Sequence, residues 1–200
     1  MKNLTKLLVA IVLLIAIGIL GHQVYLWGRR EIQQELFPIR YEEYVLAAAE
    51  KHDIEPALIF AVILAESSFR SYVISPAGAG GLMQLMPSTF EWLVERRRLD
   101  YVADDVFNPA VNIDFGAYYL RMQYNRFGNW DHALMAYNAG SGTVSSWLNN
   151  PELTQDGLII HDRIPFRETR NYVQRVNNAL AEYRRLYYEG HIQRPLSNSN

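Results

Sequence analysis

The sequence contains no cysteine in its 200 residues. This absence excludes disulfides, cysteine-ligated zinc sites, iron–sulfur clusters and a thiol nucleophile. The five histidines are scattered through the chain and form no HExxH pair, so we expect neither a metal ion nor a cofactor. Half of the residues are apolar, which excludes an intrinsically disordered chain and allows one sizeable core.

A large excess of positive charge is also missing. Residues 1–27 hold two lysines and no acidic residue, and the whole chain has a formal charge of −2, so the remainder carries −4. This balance does not suggest a surface for nucleic acid, and we exclude nucleic acid as a partner. The only basic run is Arg96–Arg98, which we interpret as part of a solvent-exposed helix face.

The N-terminus carries a long hydrophobic run. Lys2 and Lys6 precede Leu7–Gly21, fifteen residues without a polar side chain, and mostly apolar residues continue to Trp27. About 20 helical residues at roughly 1.5 Å each span a hydrocarbon core of about 30 Å. The pattern predicts one N-terminal transmembrane helix, a membrane anchor at residues 1–27. A cleaved signal peptide is the alternative, but the small residues that a cleavage site needs at positions −3 and −1 are not well placed after the apolar run.

The rest of the chain has the apolar spacing of helices, and no stretch alternates long enough to predict a strand. Ala57–Ala65 consists of nine apolar residues in a row, which predicts a helix buried in the domain centre. We divide the chain into a linker at 28–38, one all-α domain at 39–188 and a flexible tail at 189–200. Helices are predicted at about 41–52, 56–66, 87–98, 109–127, 131–137, 141–148 and 165–188, with a polar loop at 150–164.

Glu66 is the residue that does not fit its surroundings. It ends the apolar run, and on a helix its neighbours are Ile59, Val62 and Ile63. Desolvation and the negative end of the helix dipole would both raise the pKa of its carboxyl group. A carboxyl group that stays protonated near neutral pH suits a general acid. The alternatives are a glutamate on an open helix face and one paired with Arg70.

Five short sequence motifs, the first of which begins with Glu66, follow one another along the chain. They are ESSF at 66–69, SPAGAGGLMQLMP at 75–87, Asn108-Pro109 with Asn112, Gly116, Tyr119 and Leu120, AYNAG at 136–140, and IPF at 164–166 with ETR at 168–170 and YV at 172–173. In this order and spacing, residues 40–188 strongly resemble the soluble lytic transglycosylase (SLT) family. The resemblance implies a goose-lysozyme-like, all-α catalytic fold. One departure is Gly80, where the family often has serine or lysine.

The resemblance also implies roles for single residues. Glu66 matches the family's sole catalytic acid and base, and Glu168 matches a second glutamate in the cleft wall with a binding or structural role. The implied substrate-binding residues are Ser75, Gln84, Met86, Tyr137 and Glu168. Gln84 offers a donor and an acceptor that suit an N-acetyl group, and the Tyr137 hydroxyl is expected to point toward the reacting centre.

The implied reaction cleaves the MurNAc–GlcNAc β-1,4 bond of peptidoglycan without water and leaves 1,6-anhydroMurNAc ends. Ser67–Phe90 contains no acidic residue, so no second carboxylate is near Glu66 in sequence. The partners expected are glycan strands and, through the N-terminal helix, a bacterial membrane, with a monomeric catalytic domain outside the cytoplasm. Two alternatives remain open: a hydrolytic, lysozyme-type muramidase on the same glycan, and a non-catalytic glycan-binding scaffold.

Overall fold

The computed structural model describes residues 2–188, with all side chains except those of residues 2–5, 7–12 and 30. The tail predicted at 189–200 lies outside the described residues. The chain divides into two compact units with the boundary between Ile39 and Arg40.

The first unit is a single helix, α1, from Lys2 to Leu36. Helix α1 continues through residues 28–36, which the sequence predicts to be part of a linker. The large apolar side chains of α1 between Leu13 and Trp27 are exposed. As far as its residues are described, no helix of the chain is long and apolar enough to cross a membrane. The predicted transmembrane helix is therefore not supported by the structure.

Over residues 40–188, the second unit comprises seven further helices and one small hairpin. In chain order the elements are α2 (Glu42–His52), α3 (Pro56–Ser67), α4 (Pro87–Arg97), a 3-10 helix (Ala103–Phe107), α5 (Pro109–Phe127), α6 (Trp130–Ala139), α7 (Ser141–Leu148), β1 (Thr154–Gln155), β2 (Leu158–Ile159), a 3-10 turn (His161–Arg163), α8 (Arg167–Tyr183) and a π turn (Arg184–Tyr188).

Helix α3 forms the centre of the core, as the apolar run predicts. Pro56 occupies its first turn, where a missing backbone N–H costs nothing, and Ala57–Ile63 are almost completely buried. Helix α8 packs along it, and the Phe60 ring stacks on the Tyr183 ring with a centroid distance of 5.4 Å. This packing places the C-terminal end of α3 inside the domain.

Helix α5 is the second long element of the core and packs against α2 and α6. The Asn108 side chain accepts a hydrogen bond from the Ala110 N–H at 3.0 Å, Pro109 follows as the first helical residue, and Gly128 ends the helix with φ 65°. These start and stop signals are local, and the predicted bounds of this helix are confirmed.

Two regions differ from the predictions. The loop at 150–164 contains an antiparallel hairpin, in which Thr154 pairs with Ile159, and buried His132 accepts a hydrogen bond from the Ile159 N–H at 3.1 Å. Its two-residue strands are too short to show alternation. Helix α8 begins at Arg167, two residues after Pro165, and gives way to the π turn after Tyr183.

The basic run Arg96–Arg98 is only partly a solvent-exposed face. Arg96 and Arg98 are exposed, but the Arg97 guanidinium lies over the Phe115 ring, 4.5 Å from its centroid, and pairs with Asp114 at 2.7 Å. The interpretation of Arg97 as solvated is therefore wrong. Its stem and guanidinium cover apolar surface of α5, a contact that only the packing of α4 on α5 creates.

Candidate active site

Glu66 lies in the last turn of α3, three residues after the completely buried Ile63, and is itself half-buried. Burial raises the pKa of its carboxyl group to about 7, and the charge of Glu168 adds to the rise. The nearby Tyr172 hydroxyl and the charge of Arg175 act in the opposite direction, because both favour the carboxylate. The structure thus agrees with the raised pKa of Glu66 that the sequence predicts. With a pKa of about 7, the Glu66 carboxyl group is about half protonated near neutral pH.

The Glu66 carboxyl is not paired with Arg70. The Nε of Arg70 instead donates to the carbonyl oxygen of Ser67 at 3.0 Å, at the end of α3. Ser68 and Phe69 both have positive φ, 50° and 62°, which turns the chain sharply at this point. The cation that acts on Glu66 comes from Arg175 on α8, more than a hundred positions further along the chain.

Two tyrosines, half-buried Tyr137 and buried Tyr172, lie close to the Glu66 carboxyl. Burial and the Glu66 charge raise the pKa of both the Tyr137 and the Tyr172 hydroxyl well above the ordinary value, so both stay protonated. The Tyr137 hydroxyl donates to the carbonyl oxygen of Met83 at 2.7 Å. The Tyr172 hydroxyl is buried beside Glu66 and meets no acceptor at ideal geometry among the described residues. Tyr172 was not among the predicted site residues.

The glycine-rich loop, residues 71–86 between α3 and α4, is stabilised by hydrogen bonds among its own polar groups. The Oγ of Ser75 accepts from the Ala79 N–H at 3.0 Å. Gln84 has φ 48°, and its Nε2 donates to the carbonyl oxygens of Val73 at 3.1 Å and Gly81 at 2.9 Å. Both amide hydrogens of Gln84 are therefore engaged, and it can offer a ligand its acceptor oxygen rather than the expected donor and acceptor.

Asn112 connects this loop to α5. Its Oδ1 accepts from the Met83 N–H at 2.7 Å, and its Nδ2 donates to Val106 O at 2.7 Å and Gly80 O at 3.2 Å. A Cβ on Gly81 would overlap Asn112 Nδ2, and Gly81 also has φ 81°, so only glycine fits there. A polar residue among the apolar positions of α5 was the signal in the sequence, but its partners Met83 and Gly80 lie 29 and 32 positions away along the chain.

The loop and α6 enclose a cavity of about 270 Å³, which we call the Tyr137 cavity. It is lined by Gln84, Met86, Tyr119, Tyr137 and Asn138, among others. The structure thus brings together three of the predicted site residues, Gln84, Met86 and Tyr137, and Tyr137 links the cavity to Glu66.

Glu66, Ser75 and Glu168 are not part of this lining. Ser75 lies in the turn of the loop, and Glu168 is exposed in the first turn of α8, where its charge reaches Glu66. Among the described residues, no cluster of three or more His, Asp or Glu side chains could hold a metal ion.

Comparison with known proteins identifies the domain. Residues 43–159 match the model of the transglycosylase SLT domain. The chain belongs to the SLT family. This SLT chain is 38% identical over 162 residues to the soluble lytic murein transglycosylase of Salmonella typhimurium, a match covering 80% of this chain and 25% of that protein.

Further relatives agree. The chain is 32% identical over 168 residues to membrane-bound lytic murein transglycosylase C of Serratia proteamaculans, covering 73% of this chain and 47% of that one. The 70-kDa soluble lytic transglycosylase of Escherichia coli superposes with a TM-score of 0.72 at 35% identity, over 76% of this chain and 25% of that chain. The SLT chain thus spans about a quarter of the length of its Salmonella and Escherichia relatives.

An inactive Glu-to-Gln mutant of the lytic transglycosylase Slt of Pseudomonas aeruginosa has also been solved. It matches with a TM-score of 0.68 and 34% identity, covering 76% of this chain and 25% of that chain. These structural neighbours establish a lysozyme-like SLT fold for the second unit.

Proposed function

We propose that this chain is a lytic transglycosylase that cleaves the MurNAc–GlcNAc β-1,4 bond of peptidoglycan and leaves 1,6-anhydroMurNAc ends. The observation that carries the proposal is a single carboxyl group, Glu66, whose pKa of about 7 lets it act first as an acid and then as a base. The names of the SLT relatives supply the glycan as the substrate class.

In the first step the Glu66 carboxyl donates its proton to the glycosidic oxygen. The bond between C1 of MurNAc and that oxygen breaks, and the GlcNAc side leaves as an alcohol. The 2-acetamido group of the same MurNAc stabilises the cationic centre at C1. In the second step the MurNAc 6-hydroxyl oxygen bonds to C1, and its proton returns to the Glu66 carboxylate. No water, metal ion or other reactant is consumed.

The surroundings of Glu66 fit this sequence of proton transfers. The buried hydroxyl groups of Tyr137 and Tyr172 stay protonated, so they supply dipoles and no competing base. The free acceptor oxygen of Gln84 lies in the wall of the Tyr137 cavity, where it can accept from the N–H of an acetamido group. Gln84, Met86 and Tyr137 thus form the substrate-binding wall, with Ser75 shaping the loop.

A hydrolytic muramidase is the second candidate, and Glu168 favours it. Its charge reaches Glu66, so a second carboxylate lies on the same side of the domain and is exposed to water. In a hydrolase this carboxylate would activate a water molecule. In the transglycosylase it contributes by raising the pKa of Glu66 and by contacting the glycan.

Product analysis tests the proposal. Purified protein is incubated with peptidoglycan, and the soluble fragments are weighed by mass spectrometry. Transglycosylation gives fragments with anhydro ends, whereas hydrolysis gives fragments heavier by one water. We expect Glu66→Gln to lose about 10²-fold or more of the rate, while Glu95→Gln, the same change at an exposed position of α4, keeps full activity. Hydrolysed ends, or an active Glu66→Gln variant, would contradict the mechanism.

We also propose that residues 1–27 anchor the chain in the membrane with the catalytic domain, a monomer, on the outer side. The support comes from the apolar run Leu7–Gly21 in the sequence and from a relative described as membrane-bound. The full chain should then remain in the membrane fraction after carbonate extraction, and a variant without residues 2–27 should not. Release of the full-length chain by carbonate would refute the anchor, and a shortened mature chain would indicate a cleaved signal peptide.

A further inference from the structure

The methionines are the oxidisable sulfur groups of this chain. It has no cysteine, so an oxidant of the peroxide class finds sulfur only in the thioethers of its five methionines. Which methionine reacts depends on how easily the oxidant reaches its sulfur. The structure describes four of them, Met83, Met86, Met122 and Met135, and their exposure to solvent differs widely.

Met86 is the exposed one of these four. It is 40% exposed, whereas Met83 and Met135 are 0% and 2% exposed. Met122 is half-buried and packs against the core cluster that includes Phe115. A small oxidant dissolved in water therefore reaches Met86 more easily than any of the other three.

Met86 also lies in the wall of the Tyr137 cavity. It is the last residue before α4, with an extended backbone, and its carbonyl oxygen accepts from the Phe90 N–H at 2.9 Å. Its backbone is thus held by the first turn of the helix, and its side chain shares the cavity wall with Tyr119 and Tyr137. A chemical change at the Met86 sulfur therefore changes the surface that the proposed glycan contacts.

Oxidation replaces an apolar part of this wall by a polar one. A thioether is flexible and apolar, whereas a sulfoxide carries a strongly polar S–O bond and one additional atom. Two donors of the same wall are already engaged, because the Tyr137 hydroxyl donates to the carbonyl oxygen of Met83 and the Gln84 amide donates to the carbonyl oxygens of Val73 and Gly81. A glycan that covers the sulfoxide must therefore remove water from its oxygen, which costs binding free energy.

We propose that Met86 is a reversible oxidation site through which peroxide-class oxidants lower the activity of the enzyme. The Sδ lone pair attacks one oxygen of hydrogen peroxide, the S–O bond forms as the O–O bond breaks, and the second oxygen leaves as water with the proton of the first. Sulfur loses two electrons and the peroxide gains them. A methionine sulfoxide reductase reverses the change, releasing the oxygen as water while two thiols become a disulfide. The loss of activity rests on the proposed function, but the oxidation does not.

Peptide mapping tests the site without any glycan. The full chain is treated with hydrogen peroxide for increasing times and digested, and the gain of one oxygen at each of the four methionines is followed by mass spectrometry. We expect Met86 to be oxidised about five times faster than Met122 or more, and Met83 and Met135 to react more slowly still. Oxidation of any of these three before Met86 would overturn the proposal.

Activity assays test the consequence. Wild type, Met86→Leu and Met122→Leu are treated with hydrogen peroxide, and each is compared with its own untreated sample on peptidoglycan. Leucine keeps the apolar volume but cannot form a sulfoxide. We expect treatment to lower kcat/KM of wild type and Met122→Leu about tenfold and to leave the rate of Met86→Leu where it was before treatment. A methionine sulfoxide reductase with dithiothreitol should restore the two sensitive proteins.

Two results would contradict the proposed regulation. An equal loss in Met86→Leu would show that the damage lies at another residue, and full activity of oxidised wild type would show that the cavity tolerates the sulfoxide. If the untreated protein cleaves no glycan, the proposed function fails, and calorimetric binding of soluble glycan fragments then replaces the rate. Weaker binding to the oxidised than to the untreated wild type supports the inference, and equal binding refutes it.

Discussion

At the scale of single residues, the site depends on how the charges around Glu66 balance. Burial places its pKa near 7, and exposed Arg175 and Glu168 on α8 then act on it with opposite signs. Because the proposed reaction begins with protonated Glu66, the rate should fall as the pH rises past this pKa. The two exposed charges therefore offer a way to move the pH profile without touching the carboxyl group itself.

We predict that Arg175→Gln shifts the alkaline limb of the kcat/KM profile to higher pH, because loss of the cation leaves the carboxylate less stable. Glu168→Gln should shift the same limb to lower pH, because a repelling charge is removed. Each shift should be about half a pH unit, since both charges are partly screened by water. Rates measured between pH 5 and 9 check this, and shifts in the same direction for both variants would contradict it.

The raised pKa of Glu66 also has a cost in stability. The unfolded chain ionises this group near its ordinary value of 4.5, whereas the folded chain holds its pKa at about 7, so stability falls as the pH rises between these values. Glu66→Gln should therefore be more stable than wild type at pH 8, by up to about 3 kcal/mol. Near pH 4 the two should be similar.

Urea unfolding at the two pH values measures the difference. Glu95→Gln at an exposed site serves as the control and should show no such gain. If Glu66→Gln were no more stable than wild type at pH 8, the carboxylate would not be in the unfavourable surroundings that the mechanism requires.

The chemistry of Glu66 follows from its sequence neighbourhood, and its partners do not. Ile59, Val62 and Ile63 share its helix, so the buried position can be deduced from periodicity alone. Tyr172 and Arg175 reach it only because α8 packs along α3, a contact between segments about a hundred residues apart. The same reason explains why the sequence suggested Arg70, a close neighbour, as an ion partner.

At the scale of elements, the glycine-rich loop is positioned by a close contact with α5. Gly116 lies in the middle of α5, and a Cβ at this position would overlap the Sδ and Cβ of Met83. Met83 in turn receives the hydrogen bond of Tyr137 on its carbonyl oxygen. Glycine in a helix is normally unfavourable, so this one is kept for the approach of the loop.

We predict that Gly116→Ala destabilises the protein by about 1–3 kcal/mol through overpacking, although alanine is the better helix former by about 1 kcal/mol. Because Met83 must move, activity should fall as well. The control is Gly142→Ala in α7, where no atom lies within 4 Å of the added Cβ, and which should be neutral or slightly stabilising. Thermal unfolding of both variants tests the sign, and stabilisation by Gly116→Ala would show that the loop is not tightly packed.

Helix bounds were predictable where a local signal sets them. Pro56, Pro87 and Pro109 each open a helix as predicted. Pro165 does not, because the chain stays extended through Phe166 before α8 begins. The hairpin at 154–159 was missed because its two-residue strands are too short to alternate, and because His132, which accepts from the Ile159 N–H, lies on a distant helix.

At the scale of the whole catalytic domain, Asp114 on α5 joins three helices. It pairs with Lys51 at 3.0 Å and His52 at 2.7 Å from α2, and with Arg97 at 2.7 Å from α4. Burial alone would raise the pKa of Asp114, but the hydrogen bonds from these partners hold it well below its usual range. The carboxylate therefore stabilises the fold above its ordinary pKa of 3.8, and this contribution is lost as the pH falls.

We predict that Asp114→Asn destabilises the domain by about 2–3 kcal/mol at pH 7, because three cationic or donor groups lose their shared partner. The difference from wild type should shrink below about pH 3.8, where the unfolded wild-type chain begins to bind a proton at this group. The matched control is Asp53→Asn, which breaks an ion pair with Arg121. The Asp53 side chain in this pair is 88% exposed. It should cost less than about 1 kcal/mol. Equal effects of the two substitutions in urea unfolding at pH 7 would mean that the Asp114 cluster does not hold α2 and α4 on α5.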